Sequence, residues 1–126
     1  MKMVFYVAIG GAFGSVARYL TAVGFARWTD GGFPWATLTV NIVGSFIMGL
    51  LTALMAGAWV PSPEVRAFLT VGILGGFTTF SSFSLDAANM LQRGDIGLAA
   101  AYVLSSLVIG FGGLFAGLYL VRMVAA

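Results

Sequence analysis

Ten consecutive residues carry the densest chemistry in the chain: Gly75-Gly76-Phe77-Thr78-Thr79-Phe80-Ser81-Ser82-Phe83-Ser84. They lie in the middle of a long apolar stretch. Two glycines and five hydroxyls make a weak helix centre. Ser and Thr also compete for backbone hydrogen bonds and bend helices. A helix break is therefore expected between Gly75 and Thr79. Broken backbone at membrane depth survives only when buried in protein or lining a cavity. Discontinuous helices of this kind hold cations on carbonyl oxygens and anions near amide N–H groups. The alternative is a packed kink that holds no ion. Beyond the break, Phe80 and Phe83 stand at i, i+3 and share a face. Ser81 and Ser84 form a second such pair. A ring is positive at its edge. Ring edges with hydroxyl and amide donors suit a small anion and offer no full charge to trap it.

Asn41 is the next chemical group of note. Thr37, Asn41, Ser45 and Gly49 follow at four-residue steps and share one helix face. A carboxamide at membrane depth needs a partner. It either ties two helices together or donates its NH₂ into a pathway. A similar line runs through Tyr102, Ser106, Gly110 and Gly113 and suits packing or pore lining equally. Arg18 lies deep in the first apolar stretch. It either snorkels to the interface or gives positive potential to an aqueous vestibule that concentrates anions.

The elements that position these residues are four apolar stretches, at about 3–26, 34–60, 65–91 and 96–124. Each exceeds the ~20 residues that cross a hydrocarbon core. Charged residues make up 8% of the chain and hydrophobic ones 60%, against about 25% charged in a soluble domain. A soluble enzyme and a disordered tail are excluded. The chain has no Cys and no His, which removes disulfides, imidazole catalysis and the usual transition-metal sites. The net charge of +2 is dispersed, so nucleic acid is not an expected partner. The first stretch is too long for a signal-peptide core and contains Arg18, so it is read as a span. The expectation is an all-α membrane protein, one domain over 1–126, with four transmembrane helices and the third broken at mid-membrane.

Glycine accounts for 18 of the 126 residues. Gly10 and Gly14, Gly72 and Gly76, and Gly113 and Gly117 sit at i, i+4, as do Ser45 and Gly49. Small residues at this spacing let helix backbones approach closely in lipid. Gly10-Gly11-Ala12-Phe13-Gly14 has part of a dinucleotide fingerprint but no strand or βαβ unit around it, so that reading is discarded. Four crossings place Lys2, Arg66 and Arg122 on one side and Arg27 and Arg93 on the other. Orientation follows such flanking charges, and an excess of one is almost no instruction. A single orientation set by another feature and insertion in both orientations, as an antiparallel dimer, both remain open. Four helices fill their own core, so a transport function favours at least a dimer.

Over its whole length the chain resembles the small fluoride channels of the Fluc (CrcB-type) family. The resemblance rests on Gly10 to Gly14 with Arg18-Tyr19, on Pro34 with Thr37-Leu38 and Val40-Asn41, and above all on Gly75 to Ser84. It implies an antiparallel, dual-topology homodimer with two fluoride pores. It also implies a structural Na⁺ at the dimer centre, held by the backbone carbonyls of Gly75 and Thr78. Carried over, Phe80 and Phe83 are the pore phenylalanines and Asn41 the pore asparagine. Ser81, Ser82, Tyr102 and Ser106 match polar pore-side positions. Ala36, Ser82 and Asp86 depart from the usual Gly, Thr and Glu. The implied function is passive fluoride export across the cytoplasmic (inner) membrane, where the potential contributes about 2.3 kcal/mol per charge per 100 mV. A proton-coupled multidrug exporter needs a membrane carboxylate, and only Asp86 is deep enough to serve. A non-transporting assembly subunit is the third reading. Gly75 is expected to tolerate larger residues poorly if its φ is positive.

Overall fold

The structure, a computed structural model, describes residues 1–125. Helix α1 (Lys2–Ala26) leads into the first connector. Helix α2 (Trp35–Ala53) is prolonged by a wide π-helical turn over Leu54–Ala58. The third span is composite. Helix α3 (Pro63–Ala67) passes through a π-helical segment, Phe68–Leu74, into the single turn α4 (Gly75–Phe77). After a break, α5 (Phe80–Gln92) completes the crossing. Helix α6 (Ile96–Ala125) is the fourth span.

Four helical stretches are long and apolar enough to cross a membrane: Lys2–Ala26, Trp35–Ala58, Pro63–Gln92 and Ile96–Ala125. The chain is a multi-pass membrane protein. The span limits read from hydropathy agree with these to within two residues at every end, because apolar runs and helices are bounded by the same turn residues.

The boundaries have local causes. Ser62 caps α3, its hydroxyl accepting from the Val65 amide at 3.3 Å, with Pro63 and Glu64 in the first turn. Gly94 has φ +86 and ends α5, a conformation that glycine adopts without penalty. Arg93 then ties two connectors together. Its Nη2 donates to the Gly32 carbonyl at 3.3 Å and its Nε to Asp95 at 3.2 Å. The first and third connectors therefore meet on one side of the bundle.

Close helix crossings follow the small residues. A Cβ built on Gly72 would lie 2.9 Å from Gly10 Cα, and one on Gly76 would lie 2.7 Å from the Gly11 carbonyl oxygen. α1 and the third span thus touch backbone to backbone. α2 and α6 do the same: a Cβ on Gly117 would lie 2.8 Å from the Leu50 nitrogen. Gly113 is different, with only ordinary contacts to Ile42 and Phe46. A small core of Leu38, Met90, Ala99 and Tyr102 closes one end of the bundle. Large side chains such as Phe5, Phe13, Phe111 and Phe115 face outward, as expected where the solvent is lipid.

Candidate functional site

The break falls at Thr78 and Thr79, at the centre of the 63–92 span. Both residues are extended, with φ/ψ of −87°/158° and −153°/120°. This is the C-terminal end of the Gly75–Thr79 stretch in which a break is expected. Three sets of side-chain bonds hold it. Asn41, from α2, grips Thr79 on both sides: its Oδ1 accepts from the Thr79 amide at 2.8 Å, and its Nδ2 donates to the Thr79 carbonyl at 3.1 Å. Arg18, from α1, donates through Nε to the Gly76 carbonyl at 3.0 Å. The Thr79 hydroxyl accepts from the Ser82 amide at 3.1 Å and so caps α5.

These bonds redirect two amides. In an unbroken helix the Thr79 amide would bond the Gly75 carbonyl, and the Ser82 amide the Thr78 carbonyl. The first goes instead to Asn41 and the second to the Thr79 hydroxyl. The Gly75 and Thr78 carbonyls thereby lose their helical partners. Both residues line an open cleft of about 310 Å³, together with Asn41, Gly44, Ser45 and Phe80. Among the described residues no group of three or more His, Cys, Asp or Glu side chains is placed to hold a metal. The cleft instead presents backbone carbonyl oxygens, the kind of group that broken helices expose.

Gly75 overturns one expectation. Its φ is −62° and its ψ −37°, ordinary right-handed helix. A Cβ there would meet only the Thr70 carbonyl oxygen, at 3.8 Å. A larger residue is not strained by its backbone, because the chain departs from helix three residues later. Gly44 is the tighter position, since a Cβ there would collide with the Thr78 methyl group. It lies between Asn41 and Ser45 and lets α2 pass the break. Its spacing did not match the four-residue stripe, so it went unmarked in the sequence.

A second cavity, of about 340 Å³, opens on the other side of Thr79 and is lined by Ser15, Arg18, Tyr19, Thr37 and Ser82 among others. Arg18 turns inward to the break and does not snorkel to the interface. Thr79 lines both cavities, which gives this residue a place the sequence did not reveal.

The rings form a ladder. The centroids of Phe80 and Phe83 are 5.8 Å apart, and those of Phe83 and Tyr102 are 5.1 Å apart. Phe80 is 79% exposed in the single chain, whereas Tyr102 is fully buried. The Tyr102 hydroxyl donates to Asp86 at 3.1 Å. This pairing was not foreseen, although an acid in an apolar stretch signals the need for a donor. Ser81 is exposed, with its Oγ 3.3 Å from the Thr79 hydroxyl. Ser84 does not join it as a donor to the cleft, because its hydroxyl donates back to the Phe80 carbonyl at 2.9 Å. The Ser106 hydroxyl is buried without a partner among the described residues.

Asn41, Phe80, Gly75 and Thr78 thus gather on one cleft, Arg18 and Ser82 on the other, and Phe83 and Tyr102 behind the exposed ring. A four-span membrane protein with a central helix break, carbonyls released from their helix and cavities on both sides of it belongs architecturally with the discontinuous-helix proteins. Residues 5–118 match the family described as CrcB-like protein, Camphor Resistance (CrcB), and the chain belongs to this family. It is similar to the protein named Fluoride-specific ion channel FluC in Rhodospirillum centenum, at 60% identity over 126 residues and the whole of both chains. The Agrobacterium fabrum protein of the same name is 57% identical over 116 residues, covering 92% of this chain and 93% of the relative. That of Caulobacter vibrioides is 49% identical over 127 residues and the whole of both chains.

Proposed function

We propose that the protein is a fluoride channel that lets F⁻ leave the cytoplasm passively across the cytoplasmic (inner) membrane. The observation that carries this reading is the break at Thr78 and Thr79, flanked by a cleft that Asn41 and Ser45 line, in a chain 60% identical to a protein named for fluoride conduction. The functional unit is an antiparallel homodimer of dual topology. Support comes from the near-even flanking charges and from the 79% exposure of Phe80 beside an open cleft. A second copy would cover that ring.

The ion path runs past Asn41, Phe80, Phe83, Ser81, Ser82, Tyr102 and Ser106. An amide nitrogen carries two N–H groups. Asn41 uses one on the Thr79 carbonyl, and the second remains for an anion. The Phe80 and Phe83 rings add edges that are attractive to a small anion. The unpartnered Ser106 hydroxyl adds a donor. Arg18 lends positive potential to the vestibule from its place on the second cavity. Weak neutral donors let an ion enter and leave again.

The Gly75 and Thr78 carbonyls of two antiparallel copies fit a structural Na⁺. One protomer supplies two oxygens, too few to replace a hydration shell, and the dimer supplies four. When bound, the ion neutralises carbonyl dipoles that lipid cannot satisfy. The exporter reading is less well supported. Its one deep carboxylate, Asp86, accepts a hydrogen bond from buried Tyr102.

The test is efflux from liposomes holding the purified protein. Fluoride should leave under a potassium potential and chloride should stay. Equal efflux of the two anions refutes fluoride selectivity, and efflux of neither refutes a channel.

A further inference from the structure

Asn41 has two jobs available to it, and its geometry separates them. A residue that only donated to a passing anion would leave its oxygen idle. Here that oxygen accepts the Thr79 amide at 2.8 Å, the shorter of its two bonds to Thr79. We propose that Asn41 is the positioning residue of the cation site: by accepting the Thr79 amide it keeps the Gly75 carbonyl free for Na⁺. This rests on the sodium reading given above and goes beyond the role of Asn41 in the ion path.

The Thr79 amide cannot go without an acceptor at membrane depth. It has two within reach of the chain's connectivity. One is the carbonyl four residues back, on Gly75, which would extend the helix by one residue. The preceding amide makes just such a bond, from Thr78 to the Leu74 carbonyl at 3.0 Å. The helical ladder therefore runs up to Thr78 and stops where Asn41 intervenes. The second acceptor is Asn41 Oδ1. Its bond to the Thr79 amide at 2.8 Å takes that donor from Gly75, while Nδ2 separately holds the Thr79 carbonyl at 3.1 Å. Thr79 then has φ −153°, which no helix permits. Two neighbouring bonds keep this arrangement from relaxing. Arg18 occupies the Gly76 carbonyl, and the Thr79 hydroxyl occupies the Ser82 amide. Losing the Asn41 oxygen leaves the Thr79 amide one acceptor, and the Gly75 oxygen is then shared between that amide and a cation.

Two substitutions divide the oxygen from the nitrogen. Asn41→Asp keeps an acceptor for the Thr79 amide and loses the N–H donor. Asn41→Leu keeps bulk and loses both. The readout is thermal stability and dimer fraction of the purified protein in detergent, with Na⁺ titrated against N-methyl-D-glucamine at constant ionic strength. Wild type should show saturable stabilisation by Na⁺. Asn41→Asp should respond at the same or lower Na⁺ concentration. Asn41→Leu should need about 2- to 12-fold more Na⁺, the range one ordinary hydrogen bond spans in an equilibrium constant, or show no saturation. Equal half-saturation in wild type and Asn41→Leu overturns the proposal. So does loss of the Na⁺ response in Asn41→Asp while it still assembles, and this second arm decides the matter if Asn41→Leu fails to fold. A wild type indifferent to Na⁺ overturns the sodium reading itself, a different result from either.

Discussion

Gly72→Ala is the change whose cost is most directly set by the structure. A methyl group there would sit 2.9 Å from Gly10 Cα, 3.1 Å from the Val7 carbonyl oxygen and 3.2 Å from the Gly10 carbonyl carbon. All three are backbone atoms of α1, so no side chain can swing away. Carbon atoms rest about 3.5–4.0 Å apart. The third span must therefore move off α1 by roughly 0.6 Å or more. Overpacking of this kind costs about 1–3 kcal/mol. Alanine recovers up to ~1 kcal/mol through its helix propensity. Gly11→Ala is the internal control, since a Cβ there meets nothing within 4 Å and only the propensity gain remains. The two variants should differ by about 1–3 kcal/mol, on the order of 5- to 150-fold in the folded ratio. The same displacement stretches the Arg18 to Gly76 bond from 3.0 Å past hydrogen-bond range, so fluoride efflux should fall as well. Denaturation midpoints in detergent and liposome efflux measure the two effects. A Gly72→Ala protein as stable and as active as Gly11→Ala would show that the crossing has slack and that the small-residue argument is wrong there.

Phe80→Ile and Phe83→Ile should each lower fluoride efflux by tenfold or more (~1.4 kcal/mol) in a folded protein, because ring edges are lost while apolar bulk stays. Wild-type efflux in both removes the rings from the path. Adding two or three Lys to either end of the chain should bias its orientation, read by C-terminal reporter fusions, since the native excess is a single charge. One fixed location, insensitive to the added charges, refutes dual topology. Gly75→Val should leave the single chain's fold intact, given its helical φ and open surroundings, yet weaken dimer assembly more than Thr78→Ser does. Unchanged dimer fraction in Gly75→Val would refute a cation site at this cleft.

The sequence by itself determined the solvent of this protein and the number of its crossings. Runs of apolar residues longer than a bilayer, punctuated by Gly, Pro and charged clusters, divide the chain into four spanning helices. The weak point of the third span was equally legible, because two glycines and five hydroxyls in ten residues undermine a helix wherever they are placed. Only the tertiary structure decided where that helix parts. The position depends on which side chains reach the loosened backbone, and those come from other helices: Asn41 from α2 and Arg18 from α1. Both residues drew notice as polar groups in lipid, but a face or a depth does not say what a side chain touches. Arg18 was compatible with the interface and with a vestibule until its Nε was found on Gly76. Gly75 would be a strained point only at positive φ, and it is helical; Thr78 and Thr79, three and four residues on, carry the extended backbone. Hydrogen bonds between residues 38 and 58 positions apart in the chain have no local signature in sequence, since the geometry that forms them exists only once the helices have packed.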